Sequence, residues 1–146
     1  MHPYPHRYTV SASGTPVGNV AVTATGLPDI ETAPPAEFDG PGDVWSPESL
    51  LCASVADCFI LTFRAIARAS KFEWSALSCR VEAVLERVDG AARFTRYTTH
   101  ATLRVAAGGE TARAHTLLEK AEQGCLVANS LKGERTLEVQ IIDQIG

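Results

Sequence analysis

The sequence predicts an α+β fold with its helices and strands in segregated layers, and three observations lead to it. Alternating runs stand on both sides of one long apolar helical stretch, a second helical period follows a pair of glycines, and a last alternating run closes the chain. The order strands, long helix, strands, helix, strand lacks the regular β–α alternation of a doubly wound parallel sheet, so both helices are expected to pack against antiparallel sheets. The 146 residues suit a single domain, residues 1–146. A chain of that size buries roughly 68–70% of its unfolded surface and needs no covalent staple.

Arg7 to Ala12 and Val17 to Thr25 alternate around Ser13-Gly14-Thr15-Pro16, which predicts a hairpin. Gly26 to Trp45 holds four prolines, Gly40 and Gly42 and predicts a loop of about twenty residues. Its apolar members, Leu27, Ile30, Phe38 and Trp45, either lie over a pocket or belong to a solvent-facing connector.

Ser46-Pro47-Glu48 predicts a helix start: serine caps free N–H groups, proline has none to waste at the first helical position, and the acid complements the dipole. The helix is expected to reach about Ser70. Apolar residues from Leu50 through Val55, Phe59, Ile60, Leu61 and Phe63 cover nearly its whole circumference, predicting burial on most sides with help from a second chain.

Leu77, Cys79, Val81, Ala83 and Leu85 then alternate with polar neighbours, and Asp89-Gly90 turns the chain into a strand from Arg93 to Val105. After Gly108-Gly109, Ala114, Leu117, Leu118, Ala121 and Cys125 fall at helical spacing from about Glu110, placing Cys125 near the helix end on its apolar stripe. Asn129 to Gly133 predicts a turn or short helix, and Thr136 to Ile142 a final strand.

Composition excludes several classes. The net charge is −4 and no basic run is interleaved with aromatics, which argues against a nucleic-acid partner. Asp57, Arg64 and Arg68 interrupt the one long apolar stretch, so no membrane span is expected. The opening MHPYPHRYTV lacks a basic flank before an apolar run, and the four cysteines read as thiols in a reducing compartment, which predicts a cytoplasmic protein. Only Arg7 precedes Arg64, so residues 8 to 63 hold no lysine or arginine.

The closest cysteine pair, Cys52 and Cys58, is too widely spaced on one helix to suggest zinc, and no two histidines have ligand spacing, so no metal is expected. Cys52 and Cys79 read as small packing residues. Cys58 and Cys125 taken singly read the same way. Glu48 is explained either by the helix dipole or by a role at a site.

Taken together, Ser46-Pro47-Glu48-Ser49-Leu50-Leu51, Ala56-Asp57-Cys58-Phe59 and EKAEQGCLVANSL from Glu119 to Leu131 resemble the osmotically inducible protein C and organic hydroperoxide resistance (OsmC/Ohr) family. The resemblance covers roughly Pro5 to Ile142. It implies an OsmC-like fold, an intertwined homodimer with sites formed by both subunits, and a thiol peroxidase reducing organic hydroperoxides without metal or organic cofactor. Cys58 would be the peroxidatic cysteine, Cys125 the resolving one, and Glu48 the carboxylate that orients an activating arginine. A dithiol such as a dihydrolipoyl protein would be the reductant. Phe38, Trp45 and Phe59 are available to line an apolar pocket for alkyl or lipid-derived hydroperoxides.

Asp57 and Leu126 stand where that family commonly has a small residue and proline. Cys58 lies about three turns into its helix, beyond the reach of the dipole, so its thiolate is expected to need a cation from Arg7, the later strands or the partner. The alternative is a binding protein of the same fold that holds a small apolar ligand and uses its cysteines only for packing.

Overall fold

The computed structural model describes residues 1–144. The chain packs as two compact units, Met1–Leu51 and Cys52–Gly146. In the first, β1 (Ser11–Ser13), β2 (Val20–Thr23) and β3 (Ile30–Thr32) form an antiparallel sheet in that order. The expected hairpin is present but shorter, with Ser13 opposite Ala21 and the connection centred on Pro16 and Gly18. Proline cannot donate to a ladder and Gly18 takes a φ of 92°, so pairing begins only beyond them. The stretch expected to be wholly loop contributes β3 and a 3-10 turn, Ala36–Phe38. Three residues are too few for a periodic signal; β3 exists because β2 offers its free edge, Val20 opposite Thr32.

The helix α1 (Pro47–Ala69) starts where the cap residues place it. The Ser46 hydroxyl accepts the Ser49 N–H at 3.1 Å and the Ser49 hydroxyl accepts the Ser46 N–H at 2.9 Å, a reciprocal cap built from two serines. Burial on most sides does not hold within one chain. The buried residues are Val55, Phe59, Phe63 and Ala67, a single stripe at four-residue spacing, while Leu61 is 49% exposed. One sheet and one helix can cover only one side of a cylinder. By length and mean hydropathy alone, 1.8 over its most apolar window, α1 is also long and apolar enough to cross a membrane, so Asp57, Arg64 and Arg68 do not themselves settle that point. Packing of Phe59, Phe63 and Ala67 into the core gives α1 a protein neighbourhood on that side.

The second unit's sheet has the order β4 (Ala76–Val88), β5 (Ala91–Ala106), β6 (Glu134–Gln144). β4 and β5 form the expected hairpin, and Asp89 and Gly90 both take positive φ, 50° and 81°, as a two-residue turn matched to strand twist requires. The ladder shifts at Val84/Leu85, beyond which the in-out alternation fails and Leu85 is 39% exposed.

β6 runs parallel to β5, not antiparallel as expected. The helical crossover α2 (Thr111–Gly124) and α3 (Leu126–Asn129) returns the chain to the end of the sheet where β5 began, which makes the next strand parallel. The core lies between this sheet, α2 and the α1 stripe: Ala101, Leu103 and Val105 of β5 meet Phe59 and Phe63, and Ala114, Leu117, Leu118 and Ala121 are all buried as their spacing requires.

Candidate active site

Cys125 is not on a helix. It occupies the break between α2 and α3, with φ −67° and ψ 101°, ending one helix and preceding the other. The short helix falls at Leu126–Asn129, ahead of the expected Asn129 to Gly133. Arg135 of β6 holds the break: its Nε donates to Glu122 Oε1 at 2.9 Å, one terminal nitrogen to Asn129 Oδ1 at 2.6 Å, and the other to the Glu122 carbonyl. Asn129 Nδ2 donates back to the Gln123 carbonyl at 2.9 Å, so both sides of the break are tied to one guanidinium. The segment approaches α1 at Gly124, where a Cβ would stand 3.4 Å from Thr62 Cγ2, an ordinary contact distance.

That approach brings the two cysteines together. Cys125 is fully buried in a small cluster with Val55 and Ala128, and Cys58, Val81, Val127 and Leu131 pack against it. The Cys125 thiol donates to the Val55 carbonyl, with Sγ 3.9 Å from the oxygen, and also lies within hydrogen-bonding reach of Cys58. Both thiols are free, as are Cys52 and Cys79.

The environments push the pair apart. Burial opposes ionisation of Cys58, but the Val127 N–H, the Cys125 thiol, the Thr62 hydroxyl and the Leu126 N–H all favour its thiolate, and its pKa is lowered. Thr62 Oγ1 lies 3.8 Å from its sulfur. Cys125 is pushed up to about 11, first by burial, then by the hydrogen bond and charge of Cys58 and the charge of Glu122, with the Ala128 N–H acting in the opposite sense. Cys58 is therefore the easily ionised member and Cys125 the held thiol.

Among the described residues of this chain, the groups that lower the Cys58 pKa are hydrogen-bond donors and include no cation, neither Arg7 nor an arginine of the later strands. The Cys58 donors come from the first residues of α3. Leu126 supplies one because it is not proline, and Thr62 supplies another from one turn further along α1. Sequence reasoning passed over these groups and Arg135; the only local signals were the N–H at Leu126 and a hydroxyl four residues after a cysteine.

A cavity of about 520 Å³ opens beside Cys58. Leu61, Ala65, Leu126 and Val127 supply its apolar wall, Ser54 and Thr62 its hydroxyls, and Asp57 its charge. Phe59 does not line it, being fully buried in the core on the next position around the helix. Phe38 and Trp45 belong to the first unit and are 54% and 51% exposed. Glu48, in the first turn of α1, has its Oε1 buried without a hydrogen-bond partner among the described residues, and Arg7 is exposed. Among the described residues no group of three or more His, Cys, Asp or Glu side chains is placed to hold a metal ion.

Comparison with known proteins adds to this geometry. A family model described as OsmC-like protein matches residues 40–140. The uncharacterized protein YmaD of Bacillus subtilis (strain 168) is 26% identical over 115 residues, 77% of each chain. An organic hydroperoxide resistance protein OsmC from Legionella pneumophila superposes with a TM-score of 0.75 at 26% identity, covering 95% of this chain and 98% of that one. An OsmC-like protein of unknown function from Vibrio cholerae superposes with a TM-score of 0.82 at 13% identity, over 92% of this chain and 99% of that one.

Proposed function

This chain belongs to the OsmC-like protein family, and from that premise we propose that it is a thiol-dependent peroxidase that reduces organic hydroperoxides, with Cys58 as the peroxidatic and Cys125 as the resolving cysteine. The observation that supports this most is the asymmetry of the pair: a lowered thiol at an open cavity, hydrogen-bonded to a buried thiol raised to about 11. The Cys58 thiolate attacks the terminal oxygen of the hydroperoxide; an S–O bond forms, the O–O bond breaks, and the alkoxide leaves and is protonated to the alcohol. Cys58 is then a sulfenic acid.

Oxidation removes the negative charge on Cys58, one of the causes that hold Cys125 protonated. Cys125 then loses its proton and attacks the sulfenic sulfur, an S–S bond forms, and water leaves. An external dithiol of the dihydrolipoyl class reduces the disulfide and is oxidised in turn. The reading takes the whole chain as one OsmC-like domain, working as a cytoplasmic homodimer in which a second copy covers the apolar side of α1 that one chain leaves open.

Peptide mapping after one equivalent of an alkyl hydroperoxide tests the chemistry. Loss of two free thiols and a Cys58–Cys125 link is the expected result; a link from Cys58 to Cys52 or Cys79 refutes the resolving role. Sedimentation at micromolar concentration tests the dimer, and a well-folded monomer there defeats that part. A second reading, a binding protein that keeps all four thiols through the same treatment, is favoured by one observation: among the described residues of this chain no cation acts on Cys58.

A further inference from the structure

Thr62 stands one turn beyond Cys58 on α1 and lines the same cavity. A threonine inside a helix commonly turns its hydroxyl back to the carbonyl four residues earlier. Here the hydroxyl oxygen lies 3.8 Å from the Cys58 sulfur, the side chain four residues earlier. The methyl is turned toward the break, where a Cβ at Gly124 would stand 3.4 Å from it, and the hydroxyl is left facing Cys58. This relation is set within one turn of one helix and the segment packed on it, whatever a second copy adds to the cavity.

The donors around Cys58 differ in their freedom. The N–H groups of Leu126 and Val127 are fixed by the backbone, and the fully buried Cys125 thiol also donates to the Val55 carbonyl. A hydroxyl hydrogen turns about a single C–O bond while the heavy atoms stay in place. The difference matters because charge moves during the attack. It begins on the sulfur and ends on the departing oxygen, so a donor that stays on the sulfur stabilises the ground state more than the transition state. A donor that follows the charge lowers the barrier.

We infer that Thr62 is a further catalytic residue of this site: its hydroxyl turns from the Cys58 sulfur to the oxygen of the breaking O–O bond and donates to it as the alkoxide leaves. This role rests on the peroxidase reading, which supplies the hydroperoxide. An electron pair of the sulfur forms the S–O bond, the O–O pair departs with the alkoxide, and the hydroperoxide's own hydrogen stays on the sulfenic oxygen. Thr62 keeps its proton, and the alkoxide takes one from water. Alkyl hydroperoxides are the class that gains most, because their alkoxides are strong bases.

Two oxidants that differ in leaving group separate this role from a structural one. The alkoxide expelled by tert-butyl hydroperoxide is strongly basic, whereas peracetic acid expels acetate, a weak base that needs no donor. Each rate of Cys58 oxidation is divided by the rate of Cys58 alkylation with iodoacetamide, read by mass, in which the same sulfur forms an S–C bond as iodide leaves. A change in the ionisation or exposure of Cys58 then cancels. Thr62→Val keeps the shape and removes the hydroxyl. It is expected to lose about ten- to a hundredfold with tert-butyl hydroperoxide, the value of one hydrogen bond to a charged oxygen, and about threefold or less with peracetic acid. Thr62→Ser, which keeps the hydroxyl, is expected to stay near wild type with both.

Equal losses with the two oxidants in Thr62→Val, or no loss with either, overturn the inference while rapid wild-type oxidation leaves the peroxidase reading in place. If wild type reacts with tert-butyl hydroperoxide no faster than a free thiol on the same scale, the peroxidase reading fails and the role of Thr62 fails with it.

Discussion

Cys58 and Cys79 sit in the same unit, on elements that share one core, and their surroundings have opposite effects. Cys79, on β4, packs against the sheet–helix core, and its pKa is raised to about 11 by burial and then by the negative charges of Glu122 and Cys125. Cys58 is also partly buried, and burial is the largest single influence on it as well. It nevertheless moves the other way, because two backbone N–H groups, a hydroxyl and a thiol are directed at its sulfur. Burial therefore does not decide the direction in which a thiol's pKa moves here. The supply of hydrogen-bond donors does, and that supply exists because a helix is broken at Cys125 and restarted beside Cys58.

The largest effect separating the two thiols is expected from deletion. Cys58→Ser should bring peroxide-dependent thiol oxidation down to the uncatalysed background, since a hydroxyl cannot supply the ionised nucleophile, whereas Cys79→Ala should leave it near wild type. Stopped-flow consumption of an alkyl hydroperoxide under single-turnover conditions reads both, and wild-type rates in Cys58→Ser would falsify its peroxidatic role. Next in size is Cys125→Ser: one oxidation should proceed, after which Cys58 stalls as the sulfenic acid or advances to the irreversible sulfinic acid. Intact mass should show the added oxygen atoms, and a disulfide in this variant would show that another thiol resolves.

A smaller effect is expected from the guanidinium that holds the donors in place. Arg135→Ala leaves the Glu122 carboxylate, 16% exposed, without its partner, and should destabilise the fold by about 1–3 kcal/mol while slowing alkylation of Cys58 at neutral pH. Arg135→Lys should recover part of the stability but not the bridge to Asn129, because an ammonium lacks the planar fork. If alkylation is unchanged when stability falls, the break does not depend on Arg135 for its geometry.

Smaller effects are expected on titration. Cys58 should alkylate through a pKa below the ordinary 9.0, while Cys79 and Cys125 stay protonated to about pH 11. Those two thiols are raised in the folded state, so the native chain binds more protons than the unfolded one between about 9 and 11. Their contribution to stability is fully present below pH 9 and is lost as pH rises through 11, at most on the order of 1 kcal/mol per pH unit for each thiol. Denaturant titrations across that window check the slope.

Leu126→Pro removes one donor to Cys58 and little else, since Cys125 already has the extended backbone that a following proline prefers and proline suits a first helical position. Alkylation of Cys58 near neutral pH should slow by roughly two- to tenfold, the value of one lost hydrogen bond.

Much of this molecule was legible in its residues. The serine-proline-glutamate start and the apolar run specify α1; Asp89-Gly90 specifies the long hairpin and its turn; the spacing of Ala114, Leu117, Leu118 and Ala121 specifies the buried face of α2. These features are local, encoded within one turn of helix or one strand pair, and need no knowledge of what lies opposite. Cys58 and Cys125 were distinguished from the other cysteines only as a pair, through a resemblance that spans most of the chain.

What tertiary structure decided is what depends on residues far apart in the chain. The three-residue strand β3 is stabilised by an edge that β2 offers, and β6 is parallel because of where the crossover ends, not because of its own alternation. Phe59 faces the core and not the cavity, because the side of α1 that packs is chosen by the sheet beneath it. The break at Cys125 is held from β6 by Arg135, and only there do the N–H groups of Leu126 and Val127 meet a sulfur on α1. Periodicity and capping are written in neighbouring residues and survive without the fold; hydrogen-bond donors to a thiolate exist only where separate segments converge, so the chemistry of Cys58 belongs to the folded molecule.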